Sequence, residues 1–429
     1  MPADLDHAGR PLIVVTGMGM VTSLGIGQQD NWRKLTAGES GIRPITRFAT
    51  DGLRTRIAGA VDFIAVEPLC APELTERFAT IAGEEAVAQA GIGAKGDFPG
   101  PLFLAMPPVE LEWPQRRELA LAAHKASPDE RIGYDAALRQ CSTAPFRGYH
   151  ERFQFFAVAD HLADRLGTKG SPISLTTACA SGATAIQLGV EAIRRGETEA
   201  ALCIGADGSI YAESLIRFSL LSALSTQNDP ASEAAKPFSK NRDGFVMAEG
   251  AGALVLESYA HAKARGARIL GVLSGSGEMA DSFHRTRSSP DGKPIIGCIR
   301  QAIADAGLTA DDIDYVNAHG TGTPENDKME YVGAAAVFGE RVQSLPTSST
   351  KSMIGHTLSA AGAIEAVVTL MTLANQRIAP TINYRVPDPA IPLDVVPNVT
   401  RDVKMRHAIS NSFGFGGQNV SLVLSPEPA

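Results

Sequence analysis

One cysteine and two histidines stand beside small residues at turns, where their side chains could do chemistry. Cys179 lies within SPISLTTACASGATAIQLGVEAIRRG, residues 171–196. The β-branched and hydroxylated run 173–177 reads as a strand, and Ala183, Ile186, Val190 and Ile193 then recur at helical spacing. The thiol therefore falls at a helix start, where unpaired amide N–H groups and the helix dipole favour an anion and ease loss of its proton. Ala178, Ala180, Ser181 and Gly182 leave room for a substrate to reach the sulfur. The competing use of such a residue is as a small buried hydrophobe. A nucleophilic role needs bases or proton donors from elsewhere in the chain.

The second half supplies them. YVNAHGTGTPENDKMEY places His319 after a short apolar strand and before Gly320, Thr321, Gly322 and Thr323, a turn with two hydroxyls. SSTKSMIGHTLSAAGAIEA places His356 just before a helix of small residues, with Lys351 five residues upstream and Glu365 nine downstream. Both histidines adjoin glycine near a strand end, where α/β proteins carry their chemistry.

The elements around these groups echo one another. The first half holds LIVVTGMGMVTSLG, the unit around Cys179, then EAALCIGADGS. The second holds ARILGVLSGSGEMAD, then PTSSTKSMIGHTLSAAGAIEAVVTLMTLANQ, then HAISNSFGFGGQNVSLVL. In each half a Ser/Thr-rich strand feeds a helix rich in Ala and Gly, and an apolar strand follows. This pattern predicts two related α/β halves, drawn here as 1–257 with the cysteine and 258–429 with the histidines. Helices so rich in small residues suit a layer sandwiched between two sheets.

Composition excludes several classes. Across 429 residues, 39 Lys and Arg against 47 Asp and Glu leave a net charge of −8 with no long basic run, which argues against a nucleic-acid partner. The N-terminus lacks a basic segment followed by a long apolar one, and no uncharged apolar run approaches the roughly 18 residues of a membrane span. The expectation is a cytoplasmic protein with no integral membrane segment. Cysteines 70, 141, 179, 203 and 298 show no C-x-x-C spacing and are odd in number, so they read as reduced thiols without a metal site. GMGMVT has Thr22 where a dinucleotide fingerprint wants a third small residue, and FGFGGQN, residues 413–419, lacks the Lys of a phosphate loop. The latter reads as a tight, backbone-exposed turn beside a ligand.

Five segments in order, TTACASG, KPFSKNRDGFVMAEGAG, VNAHGTGTP, SSTKSMIGH and SNSFGFGGQN, carry a resemblance over nearly the whole chain. The sequence resembles the condensing enzymes of the thiolase fold, specifically the elongating β-ketoacyl-acyl-carrier-protein synthases. The resemblance implies a thiolase-like five-layer αβαβα fold of two related halves. Initiating synthases of the family carry Asn where this chain has His356, so Cys179, His319 and His356 fit the elongating branch.

The implied activity is a decarboxylative condensation of a malonyl group on acyl carrier protein with an acyl group held on Cys179, lengthening fatty acyl or related chains by two carbons. The family pattern makes Cys179 the nucleophile and gives His319 and His356 the enolate oxygen. It assigns the backbone N–H of Cys179 and Phe415 to the oxyanion, with Phe415 also gating the acyl pocket. Thr321 and Thr323 would hold the pantetheine arm; Lys351 and Glu365 would orient His356 and tune its protonation. RDGFVMAEGAG reads as structural turns. No cofactor is implied beyond the phosphopantetheine arm of the carrier, and the implied assembly is a homodimer, or a heterodimer with a related synthase. The alternative activity is that of a partner subunit like the chain-length factors, which usually lack the nucleophile. One segment departs from the family: PLFLAMPPVELEWPQRR, residues 101–117, stands where relatives have a glycine-rich loop near the floor of the acyl pocket. Trp113 is thereby expected to shape that pocket.

Overall fold

In the computed structural model the described residues are 4–67, 69–92, 96–128 and 133–427. Two sets of five strands carry the architecture. The first comprises β1 (Ile13–Thr22), β2 (Leu102–Ala105), β3 (Ile173–Leu175), β4 (Ala200–Asp207) and β5 (Gly250–Ser258). The second comprises β6 (Gly271–Ala280), β7 (Tyr315–Asn317), β8 (Thr347–Ser348), β9 (Ala408–Phe413) and β10 (Gln418–Ser425).

In the first set β1 pairs antiparallel with β5, β5 antiparallel with β4, β4 parallel with β2, and β2 parallel with β3. In the second, β6 pairs antiparallel with β10, β10 antiparallel with β9, β9 parallel with β7, and β7 parallel with β8. The order and sense are the same, position for position. The sets meet where Ile13, Val14 and Val15 pair with Leu273, Val272 and Gly271, and with the short strand Gly25–Ile26 paired on the end of β1 they form one 11-stranded hydrogen-bonded sheet. The boundary drawn at residues 257 and 258 falls at the end of β5.

Eight helices matter for the site: α1 (Ala71–Ala90), α2 (Trp113–Ala126), α3 (Ala157–Leu166), α4 (Ser181–Arg194), α5 (Ala212–Leu220), α6 (Lys293–Asp305), α7 (Pro324–Phe338) and α8 (Ala361–Asn375). Three apolar cores assign them to layers. Ala183, Ile186 and Val190 of α4 and Ile364, Val367 and Val368 of α8 pack between the two strand sets, against Cys203 and Leu254 on one side and Val420 and Leu422 on the other. Leu74 and Phe78 of α1 and Leu162 of α3 cover the outer face of the first set through Leu202 and Ile204. Ile299 of α6 and Met329 of α7 cover the second through Val316 and Ile409. The strand period of two sends neighbours such as Leu202 and Cys203 to opposite faces, so both sheets are buried on both sides. The result is the thiolase-like layering of helix, sheet, helix, sheet, helix.

The central layer explains the small residues. A Cβ on Gly182 of α4 would lie 2.6 Å from the backbone N of Ala363 in α8, and one on Gly362 would lie 2.5 Å from the N of Ala183. The two helices cross at backbone contact, and this sets the positions of their N-termini, beside which Cys179 and His356 sit. Segment 358–375 is long and apolar enough to cross a membrane, but 89% of it is buried within the protein. Its hydrophobicity is that of the central layer.

Candidate active site

Cys179 follows β3 and precedes α4, as its sequence implies, on a turn with a sharp backbone. Ala178 is left-handed at φ 51°, a conformation that costs a residue with a Cβ about 1–3 kcal/mol. Ser181 holds it there. Its hydroxyl donates to the Ala178 carbonyl at 2.6 Å and accepts the Thr177 amide at 2.8 Å. The sulfur thus sits at the entrance to α4, 8% exposed and at the foot of a cavity of about 480 Å³.

His319 and His356 line the same cavity, as do Thr321, Thr323 and Phe415. One ligand atom from each of Cys179, His319 and His356 lies within 4.8 Å of the other two. The imidazole rings meet edge to face with centroids 5.2 Å apart. Burial, then the positive charge of Lys351, hold both histidines well below their ordinary pKa, so both are neutral near pH 7. Lys351 Nζ lies 3.4 Å from His319 Nδ1. An ammonium only donates, so Nδ1 accepts and the proton of His319 sits on Nε2.

The orienting role expected of Lys351 and Glu365 at His356 is corrected, while the charge of Lys351 does act on the protonation of His356. Lys351 pairs with Glu365 of α8 and faces His319, and neither residue bonds His356. Burial raises the Glu365 carboxyl to about 7 against the opposing pull of Lys351. His356 is oriented by other means. Its amide donates to the Val246 carbonyl at 2.7 Å, its carbonyl accepts from Ala248 at 2.9 Å, and Phe245 packs edge-on at 5.2 Å. The RDGFVMAEGAG segment is therefore the strip that holds His356. Both ring nitrogens of His356 are buried with no hydrogen-bond partner among the described residues, which leaves them for a substrate.

The helix-start argument for an acidic thiol is also corrected. Burial outweighs the Phe415 amide and Lys351, and pushes Cys179 up to about 11. At pH 7 the thiol is protonated, and its proton must leave as the substrate binds. Alkylation of Cys179 by iodoacetamide should therefore rise about tenfold per pH unit from pH 7 to 10. A plateau below pH 8 would show an already ionised thiolate.

Phe415 occupies the turn after β9, where Gly416 and Gly417 take φ 90° and 91°, and its amide is the one that bonds the sulfur. Thr321 and Thr323 bond each other at 2.9 Å, and Thr323 also caps α7 by accepting the Asn326 amide at 3.2 Å.

Sequence reasoning missed the groups beneath this loop. Glu330 of α7 accepts the amides of His319 at 2.8 Å and Gly320 at 2.7 Å, and Asp327 accepts that of Gly322 at 3.1 Å. The signal was available: two acids three residues apart share a helix face. Asp207, ending β4, accepts the Ser359 amide at 3.1 Å and so supports the turn after His356. Trp113 is placed elsewhere. It is 51% exposed at the start of α2 and lines a different cavity, not the one at Cys179. Proline at the second position of α2 turns the segment away into a helix.

Comparison with known families shows what kind of chain carries this site. Residues 11–94 and 146–262 match the β-ketoacyl synthase N-terminal domain, and residues 270–385 match the C-terminal domain. The chain belongs to the β-ketoacyl synthase family. It is 35% identical to 3-oxoacyl-[acyl-carrier-protein] synthase 2 of Vibrio cholerae over 96% of this chain and 98% of that protein. It is 37% identical to the synthase of the same name from Synechocystis, over 96% and 97%. Among solved structures, a type II polyketide ketosynthase bound to a hexaketide and in complex with its acyl-carrier protein superposes with a TM-score of 0.85 at 31% identity, covering 97% of this chain and all of that one. The family's N-terminal match skips residues 95–145, which hold the divergent segment and α2.

Proposed function

We propose that this β-ketoacyl synthase elongates acyl chains by decarboxylative condensation with malonyl-acyl carrier protein, Cys179 holding the acyl group. The observation that carries the reading is the gathering of one thiol and two neutral imidazoles within 4.8 Å at the foot of one cavity. Cys179 Sγ attacks the carrier thioester, and the amides of Cys179 and Phe415 receive the oxyanion as the carrier thiol leaves. Malonyl carrier follows. Its carboxylate bond breaks, carbon dioxide departs, and the electron pair becomes an enolate whose oxygen is held by His319 Nε2–H and by His356. The enolate carbon attacks the acyl carbonyl, and collapse expels the Cys179 thiolate, which takes back a proton.

Neutral imidazoles suit the enolate because each donates one hydrogen bond without stabilising the malonyl carboxylate as a full cation would. Lys351, paired with Glu365, presents Nε2–H of His319 to the cavity and is a positioning residue. Thr321 and Thr323, which line the cavity, would hold the pantetheine arm through their hydroxyls. The reaction calls for no cofactor beyond that arm. A complete set of reactive groups favours an enzyme over a non-catalytic partner subunit. We further place the division of the halves at 257 and 258, the protein in the cytoplasm, and its working form as a dimer.

Intact mass after mixing with hexanoyl-acyl carrier protein tests the first step, and appearance of a 3-oxoacyl carrier on adding malonyl carrier tests the second. The expected result is one acyl group per chain at Cys179, discharged only when malonyl carrier is present. Discharge to the free acid by water alone would overturn the reading in favour of a hydrolase.

A further inference from the structure

The cavity at Cys179 has a wall that the condensation steps do not use. Arg285, Arg287 and Lys328 line it and are exposed, whereas the sulfur is buried, so the thiol stands at the inner end and three cations stand at the mouth. Arg285 and Arg287 belong to the segment that follows β6, and that segment is pinned in place. Asp281 accepts the amides of Phe283 at 2.9 Å and Ser289 at 2.7 Å, one on each carboxylate oxygen, and the Gly416 amide donates to the Arg285 carbonyl at 2.8 Å. Lys328 comes from α7, where the acids on either side of it, Asp327 and Glu330, are turned inward to amides.

No counter-charge answers these cations. Among the described residues the side chains of Arg285, Arg287 and Lys328 form no ion pair and no hydrogen bond. Of the acids that line the same cavity, Asp281 has both oxygens taken by amides, and Glu325 pairs with none of the three. Like charges gathered at the mouth of a cleft repel one another and focus their field on an anion that enters. The chain as a whole carries a net charge of −8, so this local excess runs against its overall balance. The planar fork of arginine matches the oxygens of a phosphate, and lysine adds a point charge.

We propose that Arg285, Arg287 and Lys328 grip the phosphate at the far end of a pantetheine arm, and that this grip lets Cys179 take acyl groups from phosphorylated pantetheine thioesters with no carrier protein attached, coenzyme A thioesters included. The proposal rests on the condensing activity argued above and adds a class of donor to it. Cys179 Sγ bonds to the acyl carbonyl carbon, the bond from that carbon to the pantetheine sulfur breaks, and the departing thiolate takes up the proton that Cys179 gave. Thr321 and Thr323 line the cavity as well, so the amides of the arm have hydroxyls to meet inside. The phosphodiester of a carrier brings a single negative charge to these cations. Coenzyme A, with a diphosphate and a ribose phosphate, brings several, and it needs no protein surface to be held.

The test uses the whole protein and one acyl group on four donors: hexanoyl-pantetheine, hexanoyl-phosphopantetheine, hexanoyl-coenzyme A and hexanoyl-acyl carrier protein. The readout is the rate of acyl transfer to Cys179 by intact mass. The parent protein should load from the phosphopantetheine and coenzyme A thioesters about tenfold or more faster than from the pantetheine thioester, the worth of one hydrogen bond between charged groups. The double variant Arg285→Gln/Arg287→Gln, altered only at exposed side chains, should bring the three carrier-free rates to within about twofold of one another. Equal rates with and without the phosphate in the parent, which needs no variant to fold, would overturn the proposal. So would a preference for phosphate that survives in the double variant, or variants that slow loading from the carrier alone, which would give the cations to the carrier's own surface. Failure of hexanoyl-acyl carrier protein to load Cys179 would instead count against the condensing activity.

Discussion

Cys179→Ser will lower condensation by about four orders of magnitude or more while the protein stays folded. Serine is close to cysteine in shape and keeps the hydrogen bond from Phe415. The turn at Ala178 is held by Ser181 rather than by the sulfur, so the backbone has no reason to move. The loss is chemical. The thiol, even pushed up to about 11, ionises far more readily than an aliphatic hydroxyl. The nearest imidazole with a hydrogen-bonded ring nitrogen, His319, faces an ammonium rather than an acid. The measurement is 3-oxoacyl-carrier formation beside thermal unfolding of both proteins. Condensation within tenfold of the parent would remove Cys179 from the mechanism.

Loss of either imidazole will separate the two half-reactions. In His319→Ala and His356→Ala, decarboxylation of malonyl carrier should fall by about a hundredfold to a thousandfold, the usual effect of removing one oxyanion donor. Acylation of Cys179 should fall less, because its oxyanion is received by amides. Both imidazoles are held well below their ordinary pKa, chiefly by burial, so the parent's decarboxylation rate should show no step near pH 6.5. The assay is release of labelled carbon dioxide alongside intact mass. A variant that decarboxylates normally but cannot be acylated would reverse the roles given to the amides and the histidines.

Much of the fold was legible because it is repeated. The two Ser/Thr-rich strands, each feeding an Ala/Gly helix, correspond to β3 with α4 and to β8 with the helix α8 that begins shortly after His356. The strand run read at 173–177 ends at Leu175, since the next residues are needed for the turn at Ala178. The reactive trio was legible for a related reason: each member adjoins small residues that close backbone approach requires. What could not be read was who faces whom across the layers. Lys351 lies five residues from His356 in sequence but its ammonium points at His319, which is 32 residues away. Trp113 sits in a segment aligned with the pocket, yet a helix starting at that residue carries it to another cavity.

The amino-acid sequence by itself determined the element types, the duplication, the family and the candidate reacting groups, because these follow from local periodicity, turn chemistry and motif order. Only the tertiary structure decided the protonation of those groups and their partners. The weakened acidity of Cys179, the neutrality of His319 and His356 and the raised carboxyl of Glu365 all follow chiefly from how much water is excluded around them. Desolvation and the field of a charge such as Lys351 depend on distances between segments far apart in the chain, and those distances exist only once the layers have closed.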